Sequence, residues 1–119
     1  MLTEDHVSFE VAKLLKEKGF NEYTATVYNQ NGSFMPNGAI EDTYQTFYSA
    51  PTLQMAMKWL REVHNIFIEI SVDEILKDEG YQWALYYNST KEIRPYSGWG
   101  DSYEEACEAA IQYVLKNLI

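Results

Sequence analysis

The chain has 119 residues, which is the length of one ordinary domain. Apolar residues make up 46% of it, and 18 acidic residues outnumber 9 basic ones, so the formal net charge is -9. This composition excludes global disorder and argues against direct binding to nucleic acid or to anionic lipid.

The first half of the chain predicts a helix followed by two strands. Apolar residues recur at helical spacing over about residues 6–18, with Ser8 as the N-cap if the helix starts late and Gly19 as a left-handed stop. Alternating β-branched and aromatic residues predict a strand over 23–29. A second, antiparallel strand is predicted over 44–48, after a loop of about 14 residues that is itself a candidate contact surface.

The middle of the chain predicts a second helix and further strands. Thr52 is the expected N-cap of an amphipathic helix that ends near Asn65. The clearest strand covers 66–72, where one face is fully apolar. Another strand is predicted over 81–88, and 93–96 predicts an extension of it or a short edge strand.

The last helix is the best defined element. Residues 97–100 are predicted as a loop, and Ser102 with Glu105 has the spacing of a capping box. The apolar positions that follow recur at helical spacing and are predicted to pack on the sheet: Tyr103, Ala106, Cys107, Ala110, Ile111, Val114, Leu115 and Leu118. Glu108 is predicted on the outer, solvent-facing side of this helix.

The element order α-β-β-α-β-β-α predicts one α+β domain over residues 1–119. Three helices are expected to pack on one face of a mainly antiparallel sheet of about four strands. The opposite face of that single sheet would carry a polar and aromatic mixture suited to solvent or to a partner: Thr24, Thr26, Tyr28, Glu69 and Tyr86.

Targeting signals are not evident in the sequence. Residues 1–6 lack both the basic and the apolar parts of a signal peptide. No apolar run approaches the roughly 20 residues that span a bilayer. These features, with the single cysteine, predict a soluble cytoplasmic protein without a membrane partner.

Three segments, 11–20, 48–66 and 102–119, resemble small hypothetical proteins encoded by phages, prophages and mobile elements of gut Bacteroidetes. The most distinctive part runs from Ala50-Pro51-Thr52 to Lys58-Trp59-Leu60-Arg61-Glu62. The resemblance covers all three predicted helices, somewhat under half of the chain. It implies a short accessory protein made inside a bacterial cell, and it carries over no catalytic residues.

Candidate chemistry in the sequence is sparse. His6 and His64 are the only histidines and lie far apart in the chain, so no metal site is expected. Cys107 lies on an apolar helical stripe and is predicted to be a core residue rather than a nucleophile. We therefore expect no cofactor and no catalytic residues.

The candidate partner surface consists of an acidic segment and one aromatic residue, Trp99, for which a core position is the favoured interpretation and an exposed partner contact is the alternative. Its members are Asp73, Glu74, Asp78, Glu79 and Trp99. The favoured function is a non-enzymatic accessory protein that contacts an unknown protein partner, with inhibition of a basic host protein as the sharper version. The alternative is a small-ligand-binding protein or a small enzyme with an unrecognised site. Both a monomer and a homodimer remain open.

Overall fold

A computed structural model of the chain describes residues 2–40, 44–72, 80–87 and 92–119, with the backbone alone at 87 and 92–95. These ranges contain three helices and six strands. The elements are α1 (Phe9–Glu17), β1 (Thr26–Tyr28), β2 (Phe34–Pro36), β3 (Tyr48–Ser49), α2 (Leu53–His64), β4 (Ile66–Val72), β5 (Tyr81–Tyr87), β6 (Glu92–Gly100) and α3 (Tyr103–Asn117).

The α+β class is confirmed, but the strands form two sheets instead of one. The first sheet has the order β2-β1-β3 and the second has the order β4-β5-β6, and every described pair is antiparallel. β1 has β2 on one edge and β3 on the other, since Val27 lies opposite both Met35 and Ser49. β1 is therefore the central strand of its sheet, and no strand from the second half of the chain pairs with β1.

The strand β2 lies inside the segment that the sequence predicts as a loop. Asn29 closes the turn before it, because its side-chain oxygen accepts hydrogen bonds from the backbone N–H groups of Asn31 at 2.9 Å and Ser33 at 3.0 Å. Gly32 has φ +85°, a conformation that favours glycine. The turn reverses the chain, so Phe34–Pro36 can pair with β1.

The predicted loop 97–100 is the end of β6. Gly98 lies opposite Trp83 on β5, and the indole covers it closely: a Cβ atom on Gly98 would lie 2.5 Å from Trp83 Nε1. Glycine in this strand therefore makes room for a buried aromatic ring on the neighbouring strand.

The helix starts follow the prediction. Ser8, Thr52 and Ser102 are the N-caps, and each hydroxyl oxygen accepts a hydrogen bond from the backbone N–H three residues later at 3.1 to 3.2 Å. Asn65 ends α2 in the left-handed conformation, with φ 56°. Only α1 is shorter than predicted, because Ser8 caps it and the residues before Ser8 are not helical.

Helix α3 lies at the centre of the core. It packs on the β4-β5-β6 sheet and against α1 and α2. Its buried residues are Ala106, Cys107, Ala110, Ile111, Val114 and Leu115. They face Ile66, Trp83 and Leu85 across the same buried cluster, so the predicted docking of this helix on the sheet is confirmed.

The predicted common face of Thr24, Thr26, Tyr28, Glu69 and Tyr86 is wrong. Tyr28 packs against the core, and its hydroxyl donates a hydrogen bond to the Val7 carbonyl oxygen at 2.6 Å. Thr26 lies in the first sheet and Thr24 is buried shortly before it, whereas Glu69 and Tyr86 lie in the second sheet.

The predicted exposure of Glu108 is also wrong. The residue is half-buried, and its Oε1 atom accepts a hydrogen bond from the backbone N–H of Ser8. The position is not a free outer face because α1 packs beside it.

Candidate interaction surface

One face of the β4-β5-β6 sheet has no described helix packed on it. Trp83 and Leu85 point to the opposite face, where the Trp83 ring lies 5.5 Å from the Tyr113 ring of α3. Because side chains alternate along a strand, the neighbouring residues point outward. We call this outer surface the open face; its described side chains are Phe67, Glu69, Ser71, Gln82, Ala84, Tyr86, Ser97 and Trp99.

The strand register arranges the open face in rows that cross the strands. Phe67 lies opposite Tyr86 in the first row. The middle row joins Glu69, Ala84 and Ser97, and the last row joins Ser71, Gln82 and Trp99. Ala84 and Ser97 in the middle row are small, whereas the rows on either side of it carry aromatic rings. The open face is therefore depressed along its middle row.

Two large apolar side chains of the open face are substantially exposed. Trp99 is 47% exposed and Phe67 is 38% exposed. Exposed aromatic residues among polar neighbours are typical of the centres of protein interfaces, where Trp and Tyr contribute much of the binding free energy.

Glu69 is the one charged side chain among the described residues of the open face. Glu69 is exposed, and Tyr86 donates a hydrogen bond to its carboxylate, which raises the pKa of Tyr86. None of the described side chains on this face is lysine or arginine.

The predicted partner residues have different outcomes. Trp99 is exposed, although the core interpretation was the favoured one, and it lies on a strand rather than on a loop. Asp73, Glu74, Asp78 and Glu79 lie outside the described residues. Phe67 was not predicted as a partner residue. The sequence did contain a sign of its role, because Phe67 is an aromatic residue on the polar side of a strand with alternating polarity.

A separate depression lies between the end of α1 and β3. Its volume is about 450 Å³, and Lys16 is the one ionisable side chain among its lining residues. Lys16 Nζ donates a hydrogen bond to the Phe47 carbonyl oxygen at 3.1 Å and lies 5.0 Å from the centre of the Tyr48 ring. This lysine already has partners within the fold, and the lining offers no second group for acid–base chemistry.

The remaining chemical candidates are structural. Cys107 is fully buried, and burial raises the pKa of its thiol to about 11. His64 stacks edge-on against Trp59 at 4.8 Å, and its buried Nε2 atom has no hydrogen-bond partner within the described residues. Over those ranges, no three His, Cys, Asp or Glu side chains come together in a way that would hold a metal ion.

No protein-family model, curated protein or solved structure matches this chain. The open face is therefore interpreted from its own geometry. Among the described residues, none of the helices has the length and apolar character needed to cross a membrane.

Proposed function

We propose that this chain is a non-enzymatic accessory protein that binds a basic partner protein through the open face. One observation carries the proposal: a three-stranded sheet leaves one face uncovered by any described helix, and that face presents the exposed rings of Phe67 and Trp99 together with the carboxylate of Glu69. A sheet face with no functional contact is usually polar, because exposed aromatic side chains favour association.

The proposed interface combines apolar burial with charge. Covering Trp99 and Phe67 removes aromatic surface from water and supplies most of the affinity. Glu69 and the net charge of -9 favour a positively charged partner and raise the rate at which the two proteins associate. Occupying a basic surface of a host protein would inhibit that protein, which fits the mobile-element context that the three helical segments suggest.

A photocrosslinking experiment tests this function. A benzophenone amino acid is placed at Phe67, and in a control protein it is placed at Tyr23, which is 82% exposed and lies outside the open face. Both proteins are expressed and irradiated in the cells that naturally carry the gene. We expect one discrete crosslinked protein of basic character from position 67 and none from position 23.

A second substitution makes the result specific to the open face. Trp99→Ser changes an exposed side chain and is expected to abolish the crosslink from position 67 without unfolding the chain, which circular dichroism verifies. Equal crosslinking from both positions, or no discrete product from position 67, contradicts the proposal.

A further inference from the structure

Strand β4 is an edge strand of the second sheet. It pairs with β5 along its whole length, from Ile66 opposite Tyr87 to Val72 opposite Tyr81. Within the described residues, no strand pairs with its other side. Among the residues that the structure describes, that side therefore presents a row of backbone N–H and C=O groups without a strand partner, which is a template for another extended chain.

Proteins protect sheet edges with charged side chains, proline, bulges or very short strands. The β4 edge has Glu69 as its one charged side chain and lacks the other protective features. Ile66–Val72 is seven residues long, contains no proline or lysine, and pairs with β5 without a register shift. The opposite edge of the sheet is protected, because β6 contains Pro95 and its pairing with β5 shifts register between Ala84 and Tyr86.

We propose that the β4 edge binds an extended partner segment as a fourth strand, and that this segment alternates basic and apolar residues. The inference rests on the proposed function and names the chemistry that the open face recognises. Basic side chains of the added strand would lie beside Glu69 on the open face, next to the exposed ring of Phe67. A cation there gains both the ion pair and contact with an aromatic ring.

The apolar residues of the proposed partner segment are inferred from the side chains on the inner side of β4. Ile68 and Ile70 pack against the core but are only half-buried, and Val72 is 53% exposed. Apolar side chains of an added strand would point to this side and cover these three residues. Each apolar contact adds to the affinity in proportion to the area removed from water.

Charge argues against a second copy of this chain on the same edge. Pairing β4 with β4 over its full length would set Glu69 directly opposite its own copy, and like charges in that arrangement are destabilising. Two chains of net charge -9 also repel each other. A basic segment satisfies the same backbone groups and removes the repulsion.

Peptide binding to the full chain tests the proposal. The probe is a fluorescein-labelled peptide of about nine residues that alternates arginine and valine, and its control alternates glutamate and valine. We expect saturable, salt-sensitive binding of the arginine peptide, seen by fluorescence anisotropy, and at least about tenfold weaker binding of the glutamate peptide. Glu69→Lys should weaken binding of the arginine peptide by about tenfold. Glu62→Lys makes the same charge change on the exposed side of α2 and should change the affinity by less than about threefold.

Backbone methylation separates strand addition from simple charge attraction. Two further arginine–valine peptides carry N-methyl groups on one or the other alternate set of backbone amides. Because only one set faces β4, methylation of one set should abolish binding and methylation of the other should leave it nearly unchanged. Equal effects of both methylations, or of both lysine substitutions, overturn the proposal.

The oligomeric state supplies the remaining test. Sedimentation velocity should show a monomer, and a dimer that Glu69→Lys dissociates or strengthens would assign the β4 edge to a second copy and overturn the proposal. The two proposals can fail separately. If a basic protein is crosslinked from position 67 but neither methylation changes peptide binding, the proposed function stands and only strand addition is rejected.

Discussion

The carboxylate of Glu108 accepts a hydrogen bond from the backbone N–H of Ser8 at 3.1 Å, across 100 residues of sequence. Ser8 is the N-cap of α1, so this contact joins the middle of α3 to the start of α1. The negative charge lies where the α1 dipole is positive, which favours the contact. Glu108 also contributes to the raised pKa of the neighbouring Tyr28, after the larger effect of burial.

Removal of the Glu108 carboxylate should destabilise the fold. Glu108→Ala leaves the Ser8 N–H without its partner and is expected to lower the free energy of unfolding by about 1–2 kcal/mol. Glu104→Ala, an exposed position one turn earlier on α3, should cost about 0.5 kcal/mol or less. Urea denaturation of both variants measures the difference, and equal values would show that the contact does not stabilise the protein.

The buried side of α3 should be sensitive to both larger and smaller side chains. Ala110 and Ile111 are fully buried in the core. Ala110→Leu should overpack the core and cost about 1–3 kcal/mol, and Ile111→Ala should open a cavity at a cost of about 2–5 kcal/mol. Lys58→Ala on the exposed side of α2 is the control and should stay within about 0.5 kcal/mol. Chemical denaturation that ranked Lys58→Ala as the most damaging would contradict this packing.

A methyl group at Gly98 should disturb the second sheet. The added Cβ would overlap the Trp83 indole, so Gly98→Ala is expected to cost about 1–3 kcal/mol. Ser97→Ala, the adjacent position on the open face, should cost about 0.5 kcal/mol or less. Thermal and chemical unfolding of the two variants can be compared directly. A tolerant Gly98 would mean that Trp83 does not lie over this residue.

Cys107 should make the protein less stable in alkali. Its thiol pKa is raised from 9.0 to about 11, chiefly by burial. As the pH rises from about 9, the unfolded chain loses this proton first, so the free energy of unfolding falls between about pH 9 and 11. Cys107→Ala should remove that part of the pH dependence, while tyrosine ionisation continues to act in both proteins.

Thiol labelling provides an independent check on Cys107. The native thiol should resist a maleimide reagent at neutral pH and react once the chain is unfolded in urea. Fast labelling of the native protein would place Cys107 outside the core.

Helices α2 and α3 and strands β4 and β5 could be predicted from the sequence, because their signals are local. A hydroxyl at Thr52 or Ser102 caps a helix within three residues, and the alternation of Ile66–Val72 needs no partner to be recognised. The local pattern gave neither the exposure of Trp99, for which a core position was favoured, nor its position on a strand.

Features that depend on distant partners were decided only by the tertiary structure. Ser97–Gly100 is a strand because β5 supplies its hydrogen bonds and Trp83 covers Gly98, and neither partner is visible in the local pattern. The division into two sheets depends on strand pairing between distant segments: β1 pairs with β2 and β3, and β5 pairs with β4 and β6. Glu108 looked like a solvated helix residue because its spacing reports only which side of α3 it occupies. The presence of α1 on that side is a matter of long-range packing, which short-range periodicity does not encode.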